Sequence, residues 1–318
     1  VIVNLYKSKS LLAVLSFPIA IALLGLPILF ADFKLPTVFF SWQLGLATMV
    51  MQSPVVHYFT TIFLVYIGAL ELNKLVNTYG FYSKNTYLPG FIYAIGLFGF
   101  GQFSFSMHLP LYFFLMVGLG YLFRISRQES AIGIIFGTSL SFGVASIFDP
   151  IMLPLLLLPW LSLLVFKPFV WREWFILFVG FLIPWIYHFA VYYLITGSAY
   201  IPYSKPILEQ TPIDFSVEMI TFNVFTIGLV IYSFLRYLVI SRTELLIFKK
   251  RSRIIYHFCW LGLITLGVSW YFFDNFLLAI HIPFSIIVGV QMLNSKHIAY
   301  TNLVIYVWLA LMGWHLFL

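Results

Sequence analysis

Side chains able to do chemistry are thinly spread along this chain, and their types narrow what that chemistry is. Seven histidines (His57, His108, His188, His257, His281, His297 and His315) and ten acids supply the candidate bases, acids and metal ligands. No two histidines stand four residues apart, so no single helix presents a ligand pair. A histidine-bound metal would have to gather its ligands from several segments. The strings GxxxxGK[ST], HExxH and GxSxG are absent, and so is any paired CxxC, which removes the P-loop, zincin, hydrolase-elbow and zinc-ribbon readings. Cys259 is the one cysteine and can form no intrachain disulfide. What remains is acid–base or anion-binding chemistry at scattered positions: Asp32, His57, Gln102, His108, Asp149, Asp274 and His281, with the lysines Lys34 and Lys205.

The elements that must position these groups are set by hydropathy. The chain is 62% hydrophobic with a mean hydropathy of +1.02, far more apolar surface than one soluble core can hide. The excess must face lipid, which predicts an all-α, polytopic transmembrane bundle. A net charge of +7 does not point to nucleic acid, because the basic residues sit in short segments between apolar runs and not on one polar face. Apolar runs near 11–30, 54–76, 88–103, 107–125, 130–147, 151–166, 174–196, 220–241, 255–273, 276–293 and 298–317 predict about eleven spans in one integral domain covering 1–318. Lys7 and Lys9 precede a first run of about 20 residues, longer than a signal-peptide core, so it reads as a retained span.

Sidedness follows from the stretch Arg242–Arg253, RTELLIFKKRSR, the densest positive charge in the chain. Positive segments between spans stay in the cytoplasm, so this loop, 242–254, orients every other one. The segment 36–52, with Trp42, Gln43, Thr48 and Gln52, is short for a crossing. Kept at the outer face as an interfacial or re-entrant helix, it leaves Lys7, Lys9, Lys74, Lys84, Arg124, Arg127, Lys167, Arg172, Arg236, the 242–253 cluster and Lys296 on the cytoplasmic side. Only Lys34 and Lys205 then lie outside. The N-terminus is cytoplasmic and the C-terminus is outside. The 197–219 segment, with Pro202, Pro206, Pro212, Glu209, Asp214 and Glu218, is an outer loop or lid.

Gly133 and Gly137 form a GxxxG in IGIIFGTSLSFGVAS, which predicts close helix packing and offers a face for partner helices. Pro154, Pro159, Pro184 and Pro283 predict kinks, each freeing a carbonyl that needs another donor; His188, four residues after Pro184, and His281, two before Pro283, could serve. Once the orientation is set, Asp32, His57, Gln102, His108, Asp149, Asp274 and His281 all fall at outer span ends. A reactive site would therefore open outward. Span-end carboxylates are also cheap, since the cost of about 2.5 to 3.5 kcal/mol applies at the bilayer centre, so these positions do not by themselves require function.

The acid-bearing segment ADFKLP after the first span, the interfacial helix behind it, and GTSLSFGVASIFDPIMLPLLLLPWLSLLVF over 137–166 resemble the membrane core of GT-C class lipid-dependent glycosyltransferases. The whole chain also resembles an uncharacterised bacterial family of multi-span inner-membrane proteins. The GT-C resemblance implies a sugar drawn from a polyprenyl-phosphate carrier, with Asp32 as base or orienting carboxylate for an acceptor hydroxyl. It implies Lys34 and Lys205 as the cations for the carrier phosphate, His57 and His108 as further donors, and Asp149 as the holder of an acceptor or a divalent metal.

Three functional classes stay open on the sequence. They are a transferase on the GT-C-like scaffold, a non-catalytic membrane subunit of a cell-envelope complex, and a transporter or lipid flippase.

Overall fold

A computed structural model of the chain describes residues 2–8, 10–30, 41–99, 108–125, 132–198, 217–273 and 280–317, without the side chains at 41, 44, 269–273, 316 and 317. Among these residues every regular element is helical. In order they are α1 (Ile2–Tyr6), α2 (Leu11–Leu24), α3 (Ser41–Met51), α4 (Pro54–Thr78), α5 (Leu88–Gly99), α6 (His108–Ile125), α7 (Ile132–Phe148), α8 (Leu157–Phe166), α9 (Trp171–Thr196), α10 (Val217–Thr243), α11 (Leu246–Phe273), α12 (His281–Leu293) and α13 (Ile298–Phe317). Short 3-10 helices at Leu26–Leu29 and Pro150–Leu156 extend α2 and lead into α8. A helix satisfies its backbone groups within one segment, which is what an apolar surrounding demands.

Each apolar stretch expected to be helical holds a helix. Pro54–Thr78, His108–Ile125, Trp171–Thr196, Val217–Thr243 and Ile298–His315 are long and apolar enough to cross a membrane alone. α3 has 11 residues, a length of about 16 Å against a hydrocarbon core of about 30 Å. The basic stretch expected as a loop over 242–254 is mostly helix. α10 runs to Thr243 and α11 begins at Leu246, so Lys249–Arg253 occupy the first turns of α11. Leu, Lys and Arg are good helix formers and no Gly or Pro interrupts them, so charge here does not break the helix.

Contacts fix the direction of each helix. α4 ends in a Gly80 turn at φ 66°, with Phe81 N–H donating to Val76 O at 3.1 Å. There Tyr79 donates to Gly120 O and packs on Phe123, so α4 and α6 finish at the same end. α7 returns beside α6, with Tyr121 against Gly137 at one end and His108 against Asp149 at the other. α9 runs parallel to α7, since Gly180 meets Ser139 while Trp185 bonds Ser146. α5 and α12 are antiparallel, with Pro89 against Gly289 and Gly96 against His281. α10 and α13 are antiparallel through Trp308 to Thr226 and Phe222 on His315.

The central pair is α5 and α12, and all 12 residues of α5 are buried. The perimeter is apolar instead of polar: Ile186, Phe189 and Leu194 on α9, or Leu235 and Val239 on α10, are each at least half exposed. A helix apolar on its outer as well as its inner face suits lipid and not water.

Charge sorts by end. Lys7, which sits over the Tyr82 ring, lies with Lys74, Arg124, Lys167, Arg242 and the α11 cluster at the end where α4, α6, α8 and α10 finish. Glu71 pairs with Lys74 and Glu173 with Lys167, each at 2.9 Å, so two of the acids at this basic end are neutralised locally. The expected kinks have varied outcomes. Pro154 lies inside the Pro150–Leu156 3-10 helix, Pro184 lies within an unbroken α9, and Pro283 falls in the first turn of α12, where no helical N–H is needed.

Candidate functional site

At the end opposite the basic residues, the last turn of α7 meets the first residue of α6. Asp149 follows α7 in an extended conformation and caps the 3-10 helix, accepting from Ile151 N–H at 2.8 Å, with Pro150 behind it. Asx side chains suit this capping position, and proline suits the first helical residue after it. The carboxylate's second oxygen accepts from His108 Nε2 at 3.0 Å. Asp149 is 1% exposed and His108 13%, so the pair is nearly closed off, with the imidazole as its more accessible member.

The surroundings are aromatic. Trp42 packs edge-on against Phe148 and against His188, while Phe114 stacks on Phe148. Gln43 Nε2 donates to Phe148 O at 2.9 Å, tying α3 to the end of α7. Trp185 Nε1 donates to Ser146 Oγ at 2.9 Å, tying α9 to the same turn. Trp42 Nε1 is buried and has no hydrogen-bond partner among the described residues.

Of the residues expected to do chemistry, the structure brings His108 and Asp149 together. His57 lies buried in the first turn of α4 at the same end, since α4 and α6 are parallel. Asp32, Lys34 and Lys205, with Gln102 and Asp274, lie outside the described residues. Gly137 faces Tyr121 of the same chain, whereas no described residue lies within 4 Å of the place a side chain would occupy at Gly133. Gln43, Ser146 and Trp185 join the site without having been expected there. Their signal in the sequence was faint: a glutamine in a short, mostly apolar helix, and a tryptophan one residue after Pro184.

The chemistry open to the arrangement follows from its bonds. Both oxygens of Asp149 already accept a hydrogen bond, so the carboxylate orients His108 and leaves Nδ1 as the nitrogen able to meet another molecule. An imidazole so held can take or give a proton, or donate to an anionic group. Among the described residues no three His, Cys, Asp or Glu side chains converge. Each oxygen of Asp149 already accepts one hydrogen bond and the carboxylate is 1% exposed with no further ligand side chains beside it among the described residues, so the orienting role fits these contacts better than the metal role.

Fold and site together define a polytopic, all-helical protein of membrane character with a buried carboxylate–imidazole pair at one end. Compared with known proteins, the chain matches no family model, no curated sequence and no solved structure.

Proposed function

We propose that the protein crosses a bacterial inner membrane about eleven times, with its basic end and N-terminus in the cytoplasm, and acts as a GT-C-like transferase at the outer face. The sugar comes from a polyprenyl-phosphate carrier. The observation that supports this reading is the His108–Asp149 pair, nearly buried at the end away from the positive charge. In the reaction the acceptor hydroxyl attacks the anomeric carbon, the bond from that carbon to the carrier phosphate breaks, and the hydroxyl proton passes to a carboxylate. Asp32 is that carboxylate. Lys34 and Lys205 neutralise the leaving phosphate, His57 and His108 donate to it, and Asp149 holds His108 in place.

The test is product formation by the full chain in lipid nanodiscs offered a panel of polyprenyl-phosphate sugars, with released polyprenyl phosphate read by mass spectrometry. Release is expected from the unaltered chain, with loss in Asp32→Asn and a strong decrease in His108→Gln. Absence of release across the panel, or full release from Asp32→Asn, overturns the reading.

A further inference from the structure

We propose that the groove between the end of α10 and the start of α11 binds the phosphate of an anionic glycerophospholipid in the leaflet at the basic end. The groove holds about 350 Å³ and is lined by Leu238, Ser241, Arg242, Lys249, Arg253 and Tyr256. Three cations converge there, and the ion pairs of the described residues involve none of them. Two hydroxyls stand beside them: Ser241 Oγ donates to Leu238 O at 3.0 Å, and Tyr256 Oη, 2.8 Å from Ser241 Oγ, is the one able to turn outward as a donor. Arginine, lysine and hydroxyl donors around one small concavity are the chemistry of a phosphate site.

The helices decide between a lipid and a soluble phosphate. Lys249 and Arg253 are one turn apart on α11, and Trp260, two turns further into the bundle, is 64% exposed. On α10, Val239 and Leu235 lie one and two turns inward from Arg242 and are 56% and 59% exposed. The cationic groove thus continues into an apolar strip on both helices. That strip accommodates acyl chains hanging from the bound phosphate, and a free anion would have no use for it. Basic pockets between membrane helices at the cytoplasmic surface favour anionic headgroups for the same reason.

The full chain is reconstituted in phosphatidylcholine vesicles, and phosphatidylglycerol with brominated acyl chains is titrated in. The signal of Trp260 is the difference in quenching between the chain and its Trp260→Phe variant. Brominated phosphatidylglycerol should quench Trp260 at lower mole fraction than brominated phosphatidylcholine. Arg242→Gln should weaken that preference by about fivefold, the loss of one cation near an anionic surface, while Arg253→Lys keeps it. Equal quenching by the two lipids, or an undiminished preference in Arg242→Gln, overturns the proposal. Displacement of the brominated phosphatidylglycerol by millimolar inorganic phosphate also overturns it, because the groove would then serve a soluble anion.

Discussion

Arg251 on α11 and Tyr79 at the end of α4 are joined twice: the guanidinium donates to the Tyr79 carbonyl and lies over the Tyr79 ring, 5.2 Å from its centroid. The carbonyl belongs to a helix end, where the last oxygens lack helical donors. A residue from the basic cluster thus completes α4 from 172 positions away in the chain. Arg251 is 5% exposed, so it differs from Arg242, Lys249 and Arg253 around it, which face outward.

Replacing Arg251 should therefore act on stability. Arg251→Met leaves the Tyr79 carbonyl short of a donor in a buried place, at a cost of about 1–3 kcal/mol. Arg251→Lys keeps the charge but not the planar fork, and should fall between. Thermal unfolding of the full chain in detergent checks this order. Equal melting of all three proteins would mean that the contact is not part of the fold's support.

Asp149 has two jobs that substitution can separate. Asp149→Asn keeps an oxygen for Ile151 N–H and removes the charge facing His108, whereas Asp149→Ala removes both. Stability should be near that of the unaltered chain for Asn and lower by about 1 kcal/mol for Ala, the usual worth of a helix cap. Polyprenyl-phosphate release should drop in both. If Asn is as active as Asp while Ala is merely less stable, the residue is a cap and nothing more.

The helices were legible in the sequence because lipid demands long apolar runs, and those runs are simple to count. Segment 242–254 was misjudged for a related reason. Charge marks the end of an apolar run, but Lys and Arg do not end a helix, so α11 starts earlier than its hydropathy does. The candidate site was legible only as residue types at one end. Pairing of His108 with Asp149 depends on α6 and α7 being antiparallel neighbours in register, 41 residues apart, and no local spacing encodes that. The phosphate groove was hidden in plain view: Arg242, Lys249 and Arg253 counted as orientation signals, while Ser241 and Tyr256 had no reason to be grouped with them until α10 and α11 packed together.

The glycines of α7 make a contrast that tests the packing. A methyl group at Gly143 would lie 2.9 Å from the Phe181 carbonyl oxygen and 3.1 Å from Pro184 Cγ, and backbone on α9 cannot swing aside. At Gly133 no described residue lies within 4 Å. Gly143→Ala should lower stability by about 1–3 kcal/mol, as overpacking does, while Gly133→Ala leaves melting unchanged. A harmless Gly143→Ala would mean that α7 and α9 do not approach as closely as described.

Sidedness can be settled with single cysteines, since Cys259 is the chain's one native thiol and is buried. In a Cys259→Ser background, Ser198→Cys after α9 and Lys250→Cys in α11 are separated by α10, so one crossing places them on opposite faces. A membrane-impermeant maleimide added to intact cells should label position 198 and spare position 250. Because the helices alternate in direction, this pair constrains the rest: Phe169→Cys, exposed between α8 and α9, must behave like position 250. Labelling of 250 and 169 with 198 spared would invert the protein and put the His108–Asp149 end in the cytoplasm. Labelling of 198 and 250 together would mean that α10 does not cross. The first result removes the outer-face transferase, because its proposed cations and carboxylates would then lie in the cytoplasm, away from an acceptor outside the cell; the second removes the sidedness assigned to the basic cluster.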